Sequence, residues 1–455
     1  MDMVQPSEIS STTKGVERHV AKFRRLKSRL TTPEWVYPLH KAGIERFAEL
    51  GFPTLKDEDW RFTNVAPVAR LPFRPVREPA SHSLTPESIR SMPFGKTPGY
   101  RLVFVDGHFD PALSNIADLP SGAVVASIGQ ALQADLPGLR EHLGRHADIQ
   151  HQPFTALNTA FFQDGAFIRI PDGLRLEMPI HLLFASTAGD SGATSCPRVL
   201  LIAGKASKAT VIEHYRSLDA KPSFTNVVTE LVAEDQACIE HCKFQDESLS
   251  AFHVAALHVH AGRDANIISH SISTGARLFR SNIRTVLAGP GLECTLNGLY
   301  LTRDDQTADH HMVVEHAQPH CASHEYFNGI LDGKSKGVFH GRILVRQEAQ
   351  KTDAKQTNKN LLLSDKATVD TKPQLEIYAD DVKCTHGASI GQINEESVFY
   401  LRSRAISQET ARRMLIHAFA GEIIERVRHP EVRDTLDKLI WDRLESNPHV
   451  SHPEL

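Results

Sequence analysis

Cys384 and His386 stand two residues apart in the segment Asp380-Asp381-Val382-Lys383-Cys384-Thr385-His386-Gly387. On a β-strand, residues two apart share a face, with Cα atoms ~6.6 Å apart. A thiolate and an imidazole at that spacing can reach one metal ion or one edge of an iron–sulfur cluster, and both suit such centres. The bland alternative is a small buried thiol beside a hydrogen-bonded imidazole. Two ligands do not complete a site, so a cluster held here needs further ligands from elsewhere.

Three other constellations carry less. Cys238-Ile239-Glu240-His241-Cys242 resembles a chelating motif, but Val228 to Cys242 alternates with period two. On a strand its two sulfurs lie ~13 Å apart, too far for one ion with metal–sulfur bonds of about 2.3 Å. These cysteines are expected to face the interior of stacked strands. In the histidine run, His311, Val313 and Glu315 fall on one strand face, and His310, Met312, Val314 and His316 on the other. With His320 and His324 beyond, this two-faced distribution argues against one compact metal site and for histidine stacks on a surface or at an interface. Gly333-Lys334-Ser335 lacks the glycine spacing of a phosphate-binding loop. A strand pattern, Val338 to Val345, follows it where the helix N-terminus should be, so it reads as a turn. Any use of ATP must then come from a partner.

The elements that position these residues change character along the chain. Helical patterns occupy the first part: Val20, Phe23, Leu26 and Leu30 at helical spacing, then Pro33 to Leu50, stopped by Gly51-Phe52-Pro53. Residues 71–98, rich in Pro and Ser, read as a linker. After a strand at Arg101–Val105, a helix over 128–146 and loops fill part of 107–163. From Ala166 strand follows strand, punctuated by Ala203-Gly204-Lys205, Ala233-Glu234-Asp235, Ala261-Gly262-Arg263-Asp264 and Ala288-Gly289-Pro290-Gly291. These turn clusters recur about every 27–30 residues, a spacing that marks repeat architecture. A twisted sandwich would space its turns more tightly, so the pattern favours a β-solenoid. The period reverts to helical near 396. Ala411, Met414, Leu415, Ala418, Phe419, Glu422 and Ile423 form a stripe on a helix over Ser407–Val427, with Arg412 and Arg413 outside. A second helix covers Glu431–Leu444. The stripe Leu415, Phe419, Ile423 faces its own core by default, and in so small a unit it also offers a groove-docking face to a partner.

Bulk properties set the remaining bounds. A chain of 455 residues with net charge −4 and a pI near 6.7 gives no reason to expect nucleic acid or an anionic membrane as partner. No apolar run approaches the length that spans a bilayer, and Met1-Asp2-Met3-Val4-Gln5-Pro6 has no basic and apolar signal pattern. The expectation is a cytoplasmic protein with its six cysteines reduced.

Longer strings carry a resemblance. Pro373-Gln374-Leu375-Glu376-Ile377-Tyr378-Ala379-Asp380-Asp381-Val382-Lys383-Cys384-Thr385-His386-Gly387-Ala388 and Val398-Phe399-Tyr400-Leu401-Arg402-Ser403-Arg404 are similar to signatures of the SufB/SufD family of iron–sulfur cluster assembly proteins. So are Asp353 to Ser364, Asp309-His310-His311, His320-Cys321-Ala322-Ser323-His324-Glu325, and Asp57-Glu58-Asp59-Trp60-Arg61-Phe62-Thr63 near the front. The resemblance implies an N-terminal helical region (1–98), a right-handed parallel β-helix (99–394) and a C-terminal helical domain (395–455). It also implies a non-catalytic scaffold of the SUF system. Such a subunit pairs with a SufB-like paralogue through the β-helices and binds a SufC-like ABC ATPase through the helical domain. By this resemblance His386 and Cys384 correspond to interfacial residues at the nascent cluster. Glu395, from its place before Phe399-Tyr400, corresponds to an acidic ligand candidate. The sulfur-accepting cysteine of the SufB branch is not expected here, which favours the SufD branch. A transient iron–sulfur cluster shared with the partner is the implied cofactor, and a flavin in the complex is neither required nor excluded. Two other classes compete: a secreted-type β-helix carbohydrate-active enzyme, and a metallohydrolase using the histidine run.

Overall fold

The computed structural model describes residues 6–26, 32–76, 82–187 and 192–445. The expected stripe positions Leu26 and Leu30, and the tail from Pro448, lie outside the described side chains. From Ala166 onward the alternation expected from the sequence is realised as a parallel β-solenoid of two facing sheets. In the second sheet successive strands begin at residues 208, 238, 266, 293, 322, 353 and 383. They stack in parallel and in register, so each column holds equivalent residues: His241 over Ser269, Leu296, Glu325, Gln356 and His386. The first sheet stacks likewise, from Gly165–Ile170 through Thr307–His316 and Lys336–Val345 to Thr368–Ile377.

Period-two side-chain alternation gives each sheet an inner and an outer face. The inner faces meet in one apolar core that includes Val211, Ile239, Ile267, Leu296, Met312, Val314, Phe327 and Phe339. The turns between strands are tight. Gly291 has φ +72°, and a Cβ there would lie 2.2 Å from Asp264 Oδ1, so only glycine fits.

Helices cover both outer faces. Phe47, Phe52, Trp60 and Phe154 of the N-terminal part pack with Phe224, Phe252, Val254 and Leu278 on the first sheet. The helices Gln408–Ile424 and Pro430–Glu445 pack through Ile416, Ala420, Ile424, Leu436 and Ile440 onto Ile212, Phe244, Ile272, Leu299 and Ile330 of the second. Polar clamps fix each cover. The buried Arg198–Glu230 pair (2.6 Å) sits under the N-terminal part, where Glu230 also accepts hydrogen bonds from the Gly144 and His146 amides. Glu240 receives those of Arg428 and His429 from the C-terminal unit.

Several local expectations need correction. The helix expected over 128–146 is two short helices, Ile128–Gln133 and Leu139–His142. Leu136-Pro137-Gly138 separates them, with Gly138 at φ +86°. The 71–98 segment is not featureless: Thr85 caps the helix Pro86–Ser91 through a reciprocal bond pair with Ser88. The C-terminal helix is rotated from the expected face. Ala411, Ile416, Ala420, Ile423 and Ile424 are buried, whereas Met414, Ala418 and Glu422 are exposed. The helix carries apolar residues on more than one side, and the face with Ile416, Ala420 and Ile424 is the one that meets the second sheet.

Candidate functional site: the open end of the solenoid

The last coil consists of Thr368–Ile377 in one sheet and Lys383–Gly391 in the other, and each is hydrogen-bonded to a single neighbouring strand. Their outer edges therefore present unpaired backbone groups. Pro373, which cannot donate to a ladder, is tolerated on such an edge. The inner-face positions continue the core columns of the coils below, yet lack a next coil to cover them. Ile377 and Ile390 are 38% and 50% exposed, and the whole stretch from Thr385 to Gly391 is exposed. Beside this mouth, the helix Glu395–Arg402 offers Phe399 and Tyr400, at 73% and 56% exposure.

Cys384 and His386 belong to this mouth. They share the inner face, as the spacing implies, because Cys384 extends the column Cys294, Ser323, Ala354 and His386 the column Glu325, Gln356. Cys384 is half-buried, packed against the cluster of Ile343, Val345 and Ala354. Partial burial raises its thiol above the usual range, with the Ala354 backbone opposing. His386 is exposed. Glu395 sits in the first turn of its helix and is engaged by Arg412 at 2.9 Å. The chain by itself does not converge Cys384, His386 and Glu395 on one point: among the described residues, only a different group brings three ligand atoms within 4.8 Å of one another.

The other sequence candidates resolve as follows. Cys238 and Cys242 do lie on a strand, but they face outward and not into the solenoid core. Cys242 is buried because the C-terminal helices cover it, in company with Phe244 and Ile272. Burial pushes its thiol up, away from reactivity. The histidine run divides by face as read: His310 and His316 are buried beside Met312 and Val314 on the inner face, and His311 points outward. Gly333-Lys334-Ser335 is a turn, with Gly333 at φ +62° and a strand from Lys336. Of the proposed docking stripe, Ile423 is buried, and Leu415 and Phe419 are partly buried against the same internal cluster, while the Phe419 carbonyl accepts from Asn328.

Two features were missed by the sequence reading. Glu325, fully buried in the His386 column, has its carboxyl raised to about 7 by burial, with Gln356 donating to it at 2.6 Å. Asp59, His311 and His340 converge from segments far apart in sequence. Strand register is the only signal that could have paired His311 with His340, and the sequence does not display it.

The family model for the SufBD core domain of SUF-system iron–sulfur cluster assembly matches residues 184–419, and the SufBD N-terminal region model matches residues 29–182. An iron–sulfur cluster assembly SufBD family protein of Synechocystis is 33% identical over 401 residues, 85% of this chain and 86% of that protein. The iron–sulfur cluster assembly protein SufD of Escherichia coli is 33% identical over 409 residues, 90% of this chain and 93% of its own length. The chloroplastic protein ABCI7 of Arabidopsis thaliana is 29% identical over 89% of this chain and 86% of its own length. The chain belongs to the SufBD family of iron–sulfur cluster assembly proteins. Among the described residues, no helix is long and apolar enough to cross a membrane.

Proposed function

We propose that this chain is a SufD-type scaffold subunit of the SUF assembly machinery, which pairs through the open end of its solenoid with a SufB-like paralogue. The single observation that carries this reading is the uncovered last coil. Inner-face residues that every earlier coil buries are here left in water, on two unpaired edges. Fully burying a side chain such as Ile377 or Ile390 is worth roughly 1.5–3 kcal/mol, and a second body supplies part of that by covering the mouth. The nascent cluster is the cargo. Cys384 and His386 supply a soft sulfur and an imidazole at the seam, and the remaining ligands come from the paralogue. Glu395 joins them only by leaving Arg412. The proposed role of the chain is not catalysis. ATP hydrolysis belongs to a SufC-like ATPase that docks on the C-terminal helical unit, where Met414 and the outer rims of Leu415 and Phe419 remain accessible.

The test is anaerobic co-expression with SufB and SufC partners. His386→Ala should leave the three-subunit complex intact on gel filtration and reduce its iron–sulfur absorbance several-fold. A complex that no longer assembles would make His386 structural, and undiminished absorbance would remove it from the cluster site.

A further inference from the structure

His311, which faces outward from the histidine run, meets a second imidazole away from the open end. His311 and His340 are register partners on adjacent strands of the first sheet, with ring centroids 4.3 Å apart. Asp59, from the N-terminal turn Glu58–Trp60, reaches over them. One ligand atom from each of the three lies within 4.8 Å of the other two. Both imidazoles are more than nine-tenths buried, and the Nε2 atom of each is buried without a hydrogen-bond partner. Buried polar atoms are seldom left so, and an ion is one recognised reason.

The distances favour an ion over an ordinary ion pair. His311 Nε2 lies 3.4 Å from Asp59 Oδ1, beyond the usual hydrogen-bond range of about 2.7–3.2 Å. It equals the separation of roughly 3.3–3.4 Å between two ligands on a tetrahedral ion with bonds of about 2.0–2.1 Å. The surrounding charges are already consumed. Arg280 is held by Asp309 and Asn282 and stacks on Trp60, while Lys372 pairs with Glu58 at 2.7 Å.

We propose that Asp59, His311 and His340 bind one divalent first-row transition-metal ion, zinc or ferrous iron in class, which pins the N-terminal turn to the outer wall of the solenoid. Two imidazoles and one carboxylate leave further coordination positions for water. This donor set suits those ions and not calcium or magnesium.

The experiment uses the complete chain carrying Cys384→Ser, which keeps thiol binding at the open end out of the measurement. After chelation and dialysis, Zn2+ is titrated by calorimetry and Co2+ by visible absorption. Expected are one equivalent of metal, cobalt bands typical of nitrogen and oxygen ligation, and a rise in Tm on loading. Asp59→Asn, at an exposed position, should weaken binding at least about 10-fold. His311→Gln with His340→Gln should abolish it and the Tm rise together. Absence of stoichiometric binding, or a stoichiometry and affinity unchanged in Asp59→Asn, overturns the proposal. Should the double variant misfold, Asp59→Asn alone decides.

Discussion

The two ends of the solenoid are built on opposite plans. At the entry end each sheet is closed by a short antiparallel strand: Val124–Ser127 on Gly165–Ile170, and His108–Phe109 on Tyr100–Val105. The helix Pro153–Phe161, buried along its whole length, packs nearby, and Asn158 ties it to the Pro197 and Asn226 carbonyls. At the exit end nothing among the described residues performs these tasks, and the strands end in exposed apolar and ligand-bearing residues. Buried contacts are therefore concentrated at one end and uncovered apolar residues at the other. A protein that must stay monomeric blunts both edges; one left bare fits the partner proposed above.

This division can be broken most severely at the closed end. Arg198→Ala strips the partner from a fully buried Glu230 and removes hydrogen bonds to Asn158 and Thr159. It should cost about 3–5 kcal/mol of unfolding free energy, read from denaturant midpoints. A small loss would show that the buried pair is dispensable.

Acid sharpens the same contrast. Burial depresses His19, His40 and His258 to about 4 and His214 to about 3, all below the unfolded 6.5. Below pH 6.5 the unfolded chain takes up protons that the native state refuses. Stability is thus complete above that pH and falls as pH drops from 6.5 toward 4, by up to about 1.4 kcal/mol per histidine per pH unit. The lowered carboxyls of Glu230 and Glu247 continue the loss below about 4.5. Tm should fall steeply between pH 6.5 and 5, and a flat profile would contradict the burial of these rings.

The smallest effect on stability is expected at the open end. Ile377→Asp with Ile390→Asp should change the free chain by only about 1 kcal/mol in total. The same pair should abolish co-purification with a SufB-like partner. If the partner still binds, it meets another surface.

Much of this was legible in the residues. Turn clusters disclosed the coils, and the two-residue step from Cys384 to His386 disclosed their common face. The split between His310 and His311 followed from the same alternation. What stayed hidden depends on how coils stack and what lies over them. Cys242 is buried although it faces outward, because a helix some 180 residues later covers it, which alternation alone cannot reveal. The rotation of Gln408–Ile424 was misread because its apolar residues are not confined to one stripe. Asp59 meets His311 and His340 only through register and the path of the N-terminal turn.

In-register stacking also makes the solenoid a ruler. Each added coil lengthens it by the strand spacing, about 4.8 Å, without turning any side chain to a new face. The distance between the anchored N-terminal module and the mouth that carries Cys384 and His386 is thus counted in whole coils. Deleting one would draw the two about 4.8 Å closer while leaving their chemistry unchanged, so coil number sets where, relative to everything bound along the flanks, the seam with a partner falls.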